Sequence, residues 1–70
     1  MTDTQRDFNK AVQVSLELEP AKAEALAQFV KRVTWSEMRA CAVDDDETYE
    51  IRDAIDTLQN ALADVGYNPR

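Results

Sequence analysis

Along AVQVSLELEP, residues 11–20, apolar and polar positions alternate: Val12, Val14, Leu16 and Leu18 fall on one side of an extended chain, Gln13, Ser15, Glu17 and Glu19 on the other. A period of two is that of a half-buried strand, so a strand is predicted over 11–18. The period then changes. Ala23, Leu26, Ala27, Phe29, Val30 and Val33 recur at steps of three and four in an alanine-rich run, which predicts a short amphipathic helix over about 20–32. Pro20 cannot donate to a ladder but suits a first helical turn, with Glu19 as a second-rate cap. Lys31 and Arg32 complement the negative end of the helix dipole.

In TWSE, Thr34 can accept from the amide three residues on, and Glu37 can reach back to the amide of Thr34. That box predicts a second helix over about 35–43, burying Trp35, Met38, Cys41 and Ala42 against the first. A third helix is predicted over about 45–65, where Ile51, Ile55, Leu58, Leu62 and Val65 are spaced four, three, four, three, with Ala54 and Ala61 widening the stripe. Gly66 stands where a left-handed C-cap is wanted, Tyr67 can fold back on the last turn, and Pro69 blocks resumption. Residues 1–9 are polar, of mixed charge and aperiodic, and read as a flexible arm with Phe8 as an anchor; residues 10–70 read as one small domain.

The predicted class is therefore mainly α with one N-terminal strand, in the order strand-helix-helix-helix. No other stretch reads as a partner for the strand, whose backbone groups need one. Seventy residues bury too little to be stable without help, and the single cysteine and absent histidine remove a disulfide and a zinc site as sources of it. Oligomerisation remains. Two copies paired antiparallel about a twofold axis would form a ribbon, with Val12, Val14, Leu16 and Leu18 as the dimer interface. No signal peptide and no membrane span is read, so a protein of the cytoplasm is expected.

From VQVSLELEPAKAEALAQFVKR followed by TWSEMRACAV, residues 11–43 resemble the ribbon-helix-helix family, whose members pair an N-terminal strand across a dimer and read DNA with its exposed side. The resemblance implies a repressor or antitoxin with Gln13, Ser15 and Glu17 as the reading side. Glu17 there faces phosphate of like charge, Glu37 stands where that family grips phosphate, the inter-helix turn has no glycine, and a long third helix is added. Direct DNA binding is thereby disfavoured. The only basic candidates are Arg6 and Lys10 in the arm and the pair Lys31, Arg32.

Composition narrows the chemistry further. Without histidine there is no Ser-His or Cys-His pair, and with one glycine no phosphate-cradling loop. Cys41, inside a predicted amphipathic helix, reads as a small core residue. No catalytic residue, cofactor or metal is expected, and the protein is read as non-enzymatic. Fourteen acidic against eight basic residues give a net charge of −6, which favours basic partners.

The acids concentrate: Glu37 to Asp64 holds nine against two bases, Arg39 and Arg52. Acids at a helix start cap free amides, and Asp44 with Glu47 has the capping-box spacing, but DDDE exceeds that need. A calcium loop lacks its alternating ligands and central glycine. Asp46, Glu50, Asp53 and Asp64 share the side of the third helix opposite its apolar stripe, with Glu47 and Asp56 flanking. Carboxylates one turn, about 5.4 Å, apart are comparable in spacing to phosphates along a strand. In size, acidity and helical content the chain is similar to small phage and plasmid proteins, including anti-CRISPR and DNA-mimic inhibitors. That resemblance implies an inhibitor that occupies a basic, nucleic-acid-binding surface of a bacterial host effector. Asp44, Asp45, Asp46, Glu47, Glu50 and Asp53 are the expected protein-binding residues.

Overall fold

A computed structural model describes residues 11–69; the arm, with Phe8, Arg6 and Lys10, lies outside the described residues. Three helices follow one another: α1 (Pro20–Arg32), α2 (Trp35–Cys41) and α3 (Asp45–Asp64). The second stops two residues before its predicted end, where the Ala42 amide donates to the Arg39 carbonyl at 3.1 Å and the chain turns toward α3.

The predicted strand is absent. Residues 11–19 belong to no regular element, and no β-strand occurs among the described residues, so the class is three helices and the strand-paired dimer is withdrawn with the strand. The alternation specifies a side to bury but cannot supply a hydrogen-bonding edge, and the described chain offers no second extended segment. Nor is the apolar side covered: exposure falls only from 84% at Val12 to 37% at Leu18.

Each helix boundary has a chemical cause. Pro20 opens α1, and Glu19 makes no side-chain cap; its carboxylate accepts from Lys22 Nζ at 2.9 Å instead. The Thr34–Glu37 box is complete, the Glu37 amide donating to Thr34 Oγ1 at 3.2 Å and the Thr34 amide to Glu37 Oε1 at 2.9 Å. At the end of α3, Gly66 takes φ 101°, the left-handed region that suits glycine. Its amide donates to the Ala63 carbonyl at 3.0 Å and that of Tyr67 to Leu62 at 2.8 Å, the Schellman closure.

The longest helix is the spine. Both α1 and α2 pack on α3 and not on one another. Ala27, Val30 and Leu62 are buried together, with Leu26, Ile55, Leu58 and Tyr67 against them. Ala23 and Met38 are buried too, whereas Phe29 is exposed, because it turns away from the line Ala23, Ala27, Val30 that meets α3. Thr48 is fully buried, and its Oγ1 donates to the Asp44 carbonyl at 2.9 Å, so among the described residues no buried side-chain polar atom is stranded. Lys31 Nζ donates to the Pro69 carbonyl at 2.7 Å and ties the tail to α1.

Candidate functional site

Helical geometry places Asp46, Glu50 and Asp53 at steps of four and three on the side of α3 opposite Ile51, Ile55, Leu58 and Leu62, and all three are exposed. Asp64 continues the line, but Thr57 and Asn60 separate it from the others. The acidic character is thus concentrated in the first three turns.

The six expected contact acids do not play one part. Asp44 is the N-cap, its Oδ1 accepting from the Glu47 amide at 2.8 Å. Glu47 reaches one residue further back than a capping box, to the Val43 amide at 2.7 Å. Asp45 accepts from Arg39 Nε at 2.7 Å, while Arg39 also donates to the Ala42 carbonyl at 3.1 Å. These three carboxylates hold the α2–α3 turn in place. Asp46 and Glu50 have no side-chain partner among the described residues, and Asp53 has only a 3.6 Å approach from Arg52. Capping and presentation are therefore divided between adjacent acids.

Beside this line lies a feature that the sequence reading did not pick out. Trp35, at the start of α2, meets Tyr49 of α3 with ring centroids 4.7 Å apart and planes inclined by 57°. The Arg52 guanidinium carbon lies 5.4 Å from the Tyr49 ring centre. The Tyr49–Arg52 spacing of three is visible in the sequence; the approach of Trp35 is not, because it depends on how α2 docks. Tyr49 remains half exposed and Trp35 37% exposed. Asp45, Asp46 and Asp53 stand one helical turn from Tyr49, so the aromatic pair and the acidic line form one continuous face.

Val14, Leu16 and Leu18 of the expected dimer interface line a groove of about 390 Å³ whose other walls include Leu26 of α1, Leu58 and Leu62 of α3, and Val65 just beyond its end. Val12 stands clear of it, in solvent. Cys41, expected in the core, is exposed, since α2 ends there and only Met38 of that helix is buried. Of the basic pair, Lys31 is engaged with the tail and Arg32 is exposed. No three of the described Cys, Asp or Glu side chains converge as a set that could hold a metal ion, and no described helix is long and apolar enough to cross a membrane.

A family profile matches residues 1–70, the whole chain, and is described as DUF7706, a family of unknown function. The chain belongs to this family. DUF7706 membership carries no statement of activity, and no curated protein or solved structure matches the chain.

Proposed function

We propose that the protein is a non-enzymatic binding module whose acidic α3 face occupies a basic surface of another protein. By its character this is an inhibitor of the anti-CRISPR or DNA-mimic type, acting in the cytoplasm of a bacterial host on a nucleic-acid-binding effector. The observation that carries the reading is the division among the acids: Asp44, Asp45 and Glu47 cap α3 and hold the α2–α3 turn, whereas Asp46, Glu50 and Asp53 stand exposed at one-turn spacing and their carboxylates accept no hydrogen bond from the described residues. Exposed carboxylates so spaced repel one another in the free protein. A lysine- and arginine-lined groove relieves that repulsion, and the summed field steers its approach.

Self-association is the second part of the proposal. Val12, Val14 and Leu16 expose more apolar surface than a small domain keeps bare without reason, and Val14 and Leu16 line the groove between α1 and α3. A homodimer that buries this edge by side-chain packing needs no backbone ladder. The alternative, a ribbon-helix-helix-like repressor or antitoxin, draws no support from residues 11–18, which form no strand, or from Lys31, which is tied to the tail.

Capture from host lysate tests the first part. Wild type should retain a protein that heparin displaces, and the triple variant Asp46→Asn, Glu50→Gln, Asp53→Asn should retain none of it at equal helicity. Equal capture by the variant refutes the choice of face.

A further inference from the structure

We propose that Trp35 and Tyr49 anchor the acidic face by receiving an arginine side chain from the partner's basic surface. This rests on the acidic-face reading and deepens it by naming the residue type that the face selects. Charge alone treats lysine and arginine alike. A half-exposed aromatic pair does not, because a guanidinium is planar, weakly hydrated and able to stack on a ring while its N–H groups fork to carboxylates, whereas an ammonium is a compact, strongly hydrated point charge.

The molecule displays both contacts within itself. Arg52 lies over the Tyr49 ring at 5.4 Å, and Arg39 places Nε 2.7 Å from Asp45. The only two bases between Glu37 and Asp64 are arginines, and each sits on this face in one of the two ways that a partner's arginine would use. Arg52 is loosely held: among the described residues its nearest carboxylate oxygen, on Asp53, is 3.6 Å away, outside hydrogen-bonding distance, and its side chain is half exposed. An incoming guanidinium can take its place over Tyr49 and reach Asp46 or Asp53 one turn to either side. Aromatic residues and arginine at the centre of a charged rim are also the residue types that dominate binding energy in protein interfaces.

Trp35 is the only tryptophan, so its emission reports on this patch directly. The full chain should be titrated with a short oligoarginine peptide and with oligolysine of equal length at the same ionic strength. Oligoarginine is expected to bind roughly tenfold more tightly and to perturb Trp35 emission more strongly. Tyr49→Leu should bring oligoarginine down to the oligolysine affinity while leaving oligolysine unchanged, which also shows that the variant is folded; Tyr49→Phe should keep the preference. Arg52→Gln, which vacates the ring, should raise oligoarginine affinity more than oligolysine affinity. A preference that survives Tyr49→Leu, or an equal rise for both peptides in Arg52→Gln, overturns the anchor. If both peptides bind equally and both are lost on neutralising Asp46, Glu50 and Asp53, the anchor is overturned and the acidic face stands. If neither peptide binds, both are overturned.

Discussion

Neighbouring acids of one type have different consequences here because their backbone surroundings differ. Asp44 completes a helix start by accepting from the Glu47 amide, and the Asp46 carboxylate, two residues on, accepts from none of the described residues. Replacing an N-cap aspartate by alanine leaves an orphan amide and costs about 1 kcal/mol. Thermal or urea unfolding should therefore show Asp44→Ala destabilised by about that amount and Asp46→Asn changed by less than about 0.5 kcal/mol, as surface substitutions usually are. Equal losses in the two variants would mean that Asp46 has a structural part after all. Cys41 makes the complementary point: its place in an amphipathic period suggested burial, but a seven-residue helix packed through Met38 has room for only one buried side chain of its own.

Among the elements, α3 holds the fold together, since α1 and α2 meet only through it. Leu62→Ala at its contact with Ala27 and Val30 should cost about 2 to 5 kcal/mol, a large part of what so small a domain has. A loss below about 1 kcal/mol would place the core elsewhere. All three helices were legible in the sequence, because period, capping box and C-cap glycine are local signals and the closures at Thr34 and Gly66 formed as their residues required. The absence of the strand has the converse reason. Val12, Val14, Leu16 and Leu18 carry a local period, but a strand exists only by hydrogen bonding to another segment, and no local pattern supplies one. The acidic line was legible from helical spacing alone, whereas the Trp35–Tyr49 contact required the packing of α2 on α3 and could not be read from either segment.

For the molecule as a whole, the charge of −6 makes its two proposed associations respond to salt in opposite directions. Two copies joined through Val12, Val14, Leu16 and the groove repel one another, and screening over about 10 Å at 0.1 M salt removes that repulsion. Sedimentation should show self-association that strengthens as salt is added; a monomer at every ionic strength refutes it. Binding of a basic partner by the α3 face should weaken instead. The central claim is tested most directly by titrating the captured partner with wild type and with the Asp46→Asn, Glu50→Gln, Asp53→Asn variant at low and at physiological salt. The account predicts wild-type affinity that falls with salt and a loss of at least roughly tenfold, about 1.4 kcal/mol, in the variant. Affinity indifferent to the three neutralisations, or specific binding of duplex DNA by the wild type in place of the protein, would contradict it.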